Sequence, residues 1–232
     1  MLQDYARSAN RLLSALPAIE YQRLEPYLTS VHVPVGQVFY EALDKIDTVY
    51  FPSTSLISLV NTLSNGLTTE IGLIGGTGMV GLSVLLGNSY SQERAIVQVA
   101  DHAIKISAQV LKSEFDRGGE LQRLLLGYAQ TRINEVSQLA VCNRHHTIEE
   151  RLARWLLTVQ DLTQSNTLPL TQEFISQMLG VRRSGVTITA GIFQKSRLIN
   201  YNRGKITVLN RKALLETSCE CYKIFYDNFY RR

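Results

Sequence analysis

The spacing of apolar residues changes character several times along the chain, and each change predicts a different kind of structure. Up to about residue 30 the apolar positions form short helical groups, Leu12, Leu13 and Leu16 ahead of Pro17, then Ile19, Leu24 and Leu28 around Pro26. Short amphipathic helices packed as a lid or collar are expected there. From Val31 onward apolar residues alternate with polar ones and turn residues recur, over residues 35–39, 48–52, 56–60, 68–74, 95–99 and 103–106. Many short strands at this spacing predict a β-sandwich or barrel, with a hairpin turn at Ser64-Asn65-Gly66.

Helical spacing returns near residue 120, where Leu121, Leu125, Ala129, Ile133, Val136 and Ala140 form one stripe over residues 120–143. Such a helix either covers the β-domain or supplies a parallel dimer seam. Cys142-Asn143-Arg144-His145-His146 then interrupts the apolar pattern. Thr147 with Glu150 makes a capping box for a new helix bearing Ile148, Leu152, Trp155, Leu156 and Val159. A hinge and domain boundary are expected at this point, with a polar connector over residues 160–169.

The most informative stretch follows. Thr171 is a plausible N-cap, Gln172 and Glu173 fill a first turn, and Phe174, Ile175 and Met178 fall at helical spacing until Leu179-Gly180-Val181 stops the helix. Gly180 can take the left-handed conformation of a sharp turn, so a second helix restarts at Arg182. Its Val186, Ala190 and Phe193 make a packing stripe. Arg182, Arg183, Ser184, Thr187 and Ile188 point the other way, near the N-terminal end, where a recognition helix meets base edges in the major groove. Gly185 and Gly191 weaken this helix by roughly 1 kcal/mol each relative to alanine, a cost understandable if something approaches the backbone closely. Residues 198–201 and 205–209 then read as strands around Asn202-Arg203-Gly204, a basic wing carrying Arg203 and Lys205. The candidate DNA-contacting residues are thus Thr171, Gln172, Arg182, Arg183, Ser184, Gly185, Thr187, Ile188, Arg203 and Lys205.

Composition is compatible with that reading without proving it. The 232 residues are 45% hydrophobic and 19% charged, with a net charge of +4, values of an ordinary globular protein. The basic excess is local: residues 182–212 hold eight Lys and Arg and no Asp or Glu. No apolar run approaches the roughly 20 residues needed to span a bilayer, and the N-terminal MLQDYARSANRLL lacks a signal-peptide core. A cytoplasmic protein with no membrane partner is expected. Three cysteines, Cys142, Cys219 and Cys221, form no disulfide framework and agree with a reducing compartment.

The order of helix, glycine turn, basic helix and basic hairpin resembles the winged helix of the Crp/Fnr transcription regulators. The resemblance covers nearly the whole chain and is strongest to a subgroup with segments like LGVRRSGVT and RGKITVLNR, followed by Cys219-Glu220-Cys221-Tyr222. It implies an α+β chain: N-terminal helices with a cyclic-nucleotide-binding-like jelly-roll β-barrel over residues 1–119, a dimerisation helix and hinge over residues 120–146, and a winged helix-turn-helix over residues 147–232. It also implies a homodimer sealed by the stripe from Leu121 to Ala140, double-stranded DNA and RNA polymerase as partners, and a signal sensed by the β-domain. The implied effector pocket comprises Gly81, Leu82, Ser83, Arg94 and Ala95, with Tyr128 and Arg132 reaching it from the seam. This sequence departs from the family pattern where Leu82 replaces a ribose-binding glutamate and Ala95 a small hydroxyl residue. Losing a charged acceptor costs a matched ligand about 1.5 to 3 kcal/mol, so cyclic AMP is not the expected effector.

Other chemistries find less support. An iron–sulfur centre needs grouped cysteines, and the first 141 residues contain none. Cys219 and Cys221 alone do not complete a metal site, His145-His146 reads as a solvated hinge pair, and no metal is expected. His32 and His102 lie far apart in sequence, so a cupin-like catalytic centre is not expected either. No cofactor is assigned. The alternative to a transcription regulator is a ligand-binding or protein-interaction module that kept the fold but no longer reads DNA.

Overall fold

The computed structural model describes residues 9–230, so residues 1–8 of the segment read for a signal peptide lie outside it. The chain divides into two compact units. One holds the residues up to Asn61 together with Gly72–Asn134, and the other Thr62–Ile71 together with the chain from Glu135 onward.

The first unit begins with the expected short helices, α1 (Arg11–Ser14) and α2 (Ala18–Leu24). Buried Asn10 caps α1 by accepting from the Leu12 and Leu13 amides, while its Nδ2 donates to Pro52 O at 2.7 Å and Gly78 O at 2.9 Å. One amide side chain thus satisfies both a helix end and two loop carbonyls inside the core. Seven strands follow, of which β5 has its first four residues in the second unit: β1 (Thr29–Val33), β2 (Val38–Tyr40), β3 (Thr48–Pro52), β4 (Leu56–Thr62), β5 (Thr68–Ile74), β6 (Arg94–Val99) and β7 (Asp101–Ser107). They form two sheets, ordered β1-β7-β3 and β2-β6-β4-β5. Alternation holds where one face is covered, as in β3, whereas five consecutive residues of β4 are buried. The sequence pattern missed β1, whose only buried residue is Val33.

That missed strand corrects another expectation. β1 pairs with β7 so that His32 lies directly opposite His102, with ring centroids 5.5 Å apart. The two histidines distant in sequence are therefore neighbours, and His102 Nδ1 lies 2.8 Å from Asp101 Oδ1. They belong to no group of three or more closely spaced ligand donors among the described residues.

After α3 (Ala108–Asp116), the long helix α4 runs continuously from Glu120 to His145, past the expected break at Cys142. Its apolar stripe divides. Leu121, Leu125 and Ala129 are buried within the single chain, whereas Ile133, Val136 and Ala140 are exposed, as are Leu126 and Val141. Leu121 and Leu125 are thus core residues of the first unit rather than a seam. The exposed set Leu126, Ile133 and Ala140 recurs every seven residues, the repeat of a two-stranded coiled coil.

The second unit is built on α5 (Ile148–Thr163), which opens with the expected capping box of Thr147 and Glu150 and buries Leu152, Trp155, Leu156 and Val159. Around it lie β8 (Thr167–Leu168), α6 (Gln172–Leu179), α7 (Arg183–Lys195), β9 (Ile199–Asn202), β10 (Lys205–Val208), α8 (Arg211–Thr217) and α9 (Cys221–Tyr230). The connector supplies β8, which was not expected, and completes a sheet ordered β8-β10-β9. Arg211 bridges Asp161 at 2.8 Å and donates to the Tyr222 hydroxyl at 2.7 Å, which donates in turn to Asp161 at 2.6 Å. One of the eight basic residues of the reader segment is therefore used for internal packing.

Candidate DNA-binding surface and sensing pocket

Local chemistry sets the two reader helices at an angle. Thr171 caps α6 by accepting from the Phe174 amide, and Gly180 ends the helix with φ of +61°. The Gly180 and Val181 amides then close onto Gln177 and Ser176 carbonyls, satisfying the helix end while turning the chain. Arg182 is the N-cap of α7, and Val186, Ala190 and Phe193 are buried as their spacing required. Arg182, Arg183, Ser184, Thr187 and Ile188 are exposed. Ile188 retains 64% of its accessible surface and so can be reached from outside the chain.

Polar contacts order this surface. The Thr187 hydroxyl donates to Gln172 Oε1 at 2.7 Å, so the amide of α6 is held against the outer face of α7. Arg183 Nη1 lies 3.8 Å from Glu173 Oε2, with both side chains largely exposed. Such a pair contributes little and costs little to exchange for another acceptor. Gly185 meets the expected close approach within the chain. A Cβ there would approach Ile148 Cδ1 to 2.9 Å, so the glycine eases close packing of α7 on the start of α5. Gly191 is open to solvent.

The wing is a two-residue hairpin. Lys205 pairs with Asn202 and Val208 with Ile199, leaving Arg203 and Gly204 as the turn. Their φ values are +45° and +76°, the positive pair of a type I′ turn, for which Asn-Gly is the favoured sequence. An arginine in the left-handed region costs about 1 to 2 kcal/mol. That cost places a guanidinium at the tip of the wing, beside exposed Lys205.

The residues of the expected effector pocket separate into two environments. Arg94 Nε lies 3.3 Å from Glu41 Oε1, both side chains about half exposed, so a carboxylate already faces this arginine. Ala95 is fully buried opposite Tyr40 and Leu59. Gly81 has φ of +98° and caps the 3₁₀ turn Leu82–Leu86, where Leu82 and Ser83 are half-buried. The deeper position belongs to Met79, whose carbonyl accepts from the buried Tyr128 hydroxyl at 3.0 Å.

Around Tyr128 lies a polar group that the sequence reading did not single out. Buried Tyr40 has its phenol pushed up by burial first and then by the nearby Glu93 and Tyr128. Burial likewise raises the Glu93 carboxyl, and the charge of Arg132 opposes that shift. Arg132 lies over β5 at Gly72, where a Cβ would collide with its guanidinium. Tyr128 and Arg132 of α4 are therefore electrostatically coupled to Tyr40 and Glu93 of the β-domain. The signal for it was the acidic residue beside Arg94, legible only once β6 was placed.

A second polar group lies at the end of α4. Cys142 and His146 come together with Cys219 of the loop before α9 and Cys221, the first residue of α9, the three thiols being buried. The four donor atoms lie within 4.8 Å of one another. Cys142 is the thiol that ionises most readily, because a hydrogen bond with Cys219 and the charge of Arg154 outweigh its burial. The expectation of no metal counted only Cys219 and Cys221, and His146 is not the solvated residue expected, since its side chain is 14% exposed.

Fold and surface define a class: an antiparallel β-domain joined in one chain to a winged helix-turn-helix with a basic exposed face. Comparison with known proteins narrows it. Residues 150–217 match the Crp-like helix-turn-helix domain model. A putative transcriptional regulator of the Crp/Fnr family from Eubacterium rectale superposes with a TM-score of 0.70 at 19% identity, covering 90% of this chain and 98% of that one. FixK2 from Bradyrhizobium japonicum gives 0.71 at 15% identity over 83% and 98%. The c-di-GMP responsive global regulator CLP from Xanthomonas campestris gives 0.69 at 13% identity over 84% and 100%. No curated protein sequence matches the chain significantly. The chain carries a Crp-like helix-turn-helix domain and has the fold of the Crp/Fnr-family transcriptional regulators. No helix among the described residues is long and apolar enough to cross a membrane.

Proposed function

We propose that this protein is a homodimeric, sequence-specific DNA-binding transcription regulator of the Crp/Fnr type, acting in the cytoplasm by binding rather than catalysis. The observation that carries the reading is the exposed face of α7, where Arg182, Arg183, Ser184, Thr187 and Ile188 stand together in a segment free of acidic residues from 182 to 212. With the N-terminal end of α7 in the major groove, Arg183 pairs with guanine O6 and N7, Ser184 and Thr187 reach neighbouring base edges, and Ile188 meets a thymine methyl. Gln172, held by Thr187, and Thr171 lie at the adjoining end of α6, and Arg203 and Lys205 take phosphates.

Dimerisation supplies the second reader. The exposed apolar residues Leu126, Ile133, Val136 and Ala140 support a seam along α4. The signal enters near the polar group of Tyr40, Glu93, Tyr128 and Arg132, whose last two residues lie on the seam helix and would couple a bound effector to its position. Cyclic AMP is disfavoured, since neither buried Met79 nor half-buried Leu82 offers a carboxylate for the ribose and Arg94 already faces Glu41. RNA polymerase is the downstream partner that the family resemblance implies.

Selection of genomic fragments by the purified protein tests the reading. A two-fold motif with half-sites about 10 base pairs apart, centre to centre, is expected. Failure to enrich any fragment, at salt where lysine-rich controls still bind DNA, would leave an interaction module that no longer reads DNA.

A further inference from the structure

We propose that Cys142, His146, Cys219 and Cys221 form a tetrahedral binding site for a single thiophilic metal ion, zinc(II) foremost. The donors come from two places. Cys142 lies in the last turn of α4 and His146 directly follows that helix, its amide donating to the Cys142 carbonyl, while Cys219 lies in the loop before α9 and Cys221 is the first residue of α9. Three buried thiols grouped without ligands also describe an apolar cluster, since free cysteine packs as a small hydrophobe, and Phe225 and Leu139 do pack beside them. Three further observations favour an ion.

The first is distance. Cys142 Sγ lies 3.7 Å from Cys219 Sγ, and Cys221 Sγ lies 3.6 Å from His146 Nδ1. A tetrahedron with metal–sulfur bonds of about 2.3 Å has edges of about 3.8 Å, slightly shorter where nitrogen replaces sulfur. Those donors are therefore already spaced for one ion, and their 4.8 Å limit is too tight for a multi-iron cluster, whose ligand sulfurs stand further apart.

The second is the surrounding shell. His146 presents Nδ1 to the group while its Nε2 lies 3.3 Å from Glu220 Oε2, the carboxylate–histidine arrangement that fixes the ring and raises its basicity as a ligand. Gln138 Nε2 lies 3.0 Å from Cys221 Sγ, an N–H donor suited to a thiolate.

The third is charge. Arg151 and Arg154 of α5 are both nearly buried, and each interacts electrostatically with Cys142. Arg154 stacks 5.0 Å from the Phe225 ring and its Nε has no hydrogen-bond partner. Buried cations need anions near them. A divalent ion held by three thiolates and a neutral imidazole carries a net negative charge, which supplies the counterion that neutral thiols would not. Two Cys219-x-Cys221 sulfurs bound with Cys142 and His146 would tie the C-terminal helix to the end of α4.

The test uses the full chain, reduced and freed of metal, titrated with cobalt(II) and then zinc(II). Expected are the intense visible bands of tetrahedral thiolate-bound cobalt at one ion per chain, their displacement by zinc, and protection of three thiols from alkylation in the zinc form. Glu220→Gln alters an exposed side chain outside the core and should weaken cobalt binding by about ten- to a hundred-fold, while Cys142→Ser and Cys221→Ser should each abolish the bands. Circular dichroism of the Glu220→Gln protein keeps this arm independent of folding. A folded, reduced chain giving only octahedral cobalt spectra, or alkylated equally with and without zinc, would overturn the proposal. So would isolation of the native chain as a Cys142–Cys219 disulfide whose reduced form binds no ion.

Discussion

Replacement of Arg203 by asparagine separates the structural cost of the wing from its use. Arg203 has φ of +45° and Gly204 of +76° in a two-residue turn between paired Asn202 and Lys205. Side chains with a Cβ pay about 1 to 2 kcal/mol to hold the left-handed region, and asparagine pays least among them because its amide bonds locally to the backbone. Arg203→Asn should therefore stabilise the folded chain by roughly 1 kcal/mol, raising its melting midpoint by about 2–4 °C. The same change removes a cation from the wing. Binding should weaken on operator and on unrelated DNA alike, and the slope of log affinity against log salt should become shallower by about 0.9. Gly204→Ala is the converse probe. A Cβ there meets only Thr171 Cγ2 at 3.5 Å, an ordinary contact, so its penalty is conformational, about 1 kcal/mol of destabilisation with the salt slope unchanged. Thermal melts and binding isotherms at several salt concentrations measure both quantities on each protein. Arg203→Asn that destabilised the chain would refute the strained-turn argument. An unchanged salt slope would show instead that the wing does not reach phosphate.

Arg183→Ala should cost about 1 to 3 kcal/mol at one base position and relax the preference there, whereas Lys205→Ala should weaken binding to all sequences equally; isotherms on operator and unrelated DNA with the opposite pattern would invert the docking orientation. Ile133→Asp buries a carboxylate in the proposed seam and should give a monomer in sedimentation velocity where the parent is a dimer at micromolar concentration. A monomeric parent would end the seam argument. Cyclic AMP should not measurably tighten operator binding, and micromolar affinity by calorimetry would require another residue to meet the ribose.

Legibility in the sequence followed the range of the interactions involved. Thr171, Gly180 and the pair Thr147 and Glu150 act within four residues of themselves, so the helix ends they create could be read directly. The β-domain was legible as strands because alternation is local, but not as a pairing. Register alone brings His32 opposite His102, and the strand holding His32 has too little burial to show a pattern. The stripe of α4 correctly announced a helix, yet a period says only that residues share a face. Leu121 and Leu125 are buried within their own chain whereas Ile133 and Val136 are not, a difference set by what packs alongside. Gly185 announced a close approach but not its partner, since the neighbour is Ile148, 37 positions earlier in the sequence.

The thiol group shows the same dependence at longer range, with Cys142 and Cys219 separated by 77 residues. Its place on α4 also bears on how one helix can serve two ends. Ala140 and Cys142 are two residues apart, which turns them by about 200° around a regular helix. Ala140 accordingly remains exposed beside Val136, while Cys142 is completely buried against the loop before α9. An ion held at Cys142 and His146 would thus lie on the side of α4 away from the proposed seam, without competing for the residues that a partner protomer would cover. Its mechanical effect would fall on α9 and on α5, whose Arg151 and Arg154 face the same thiols. α5 also carries Ile148, which lies against Gly185 at the start of the recognition helix, so a bound ion would sit beside the helix on which the recognition helix packs.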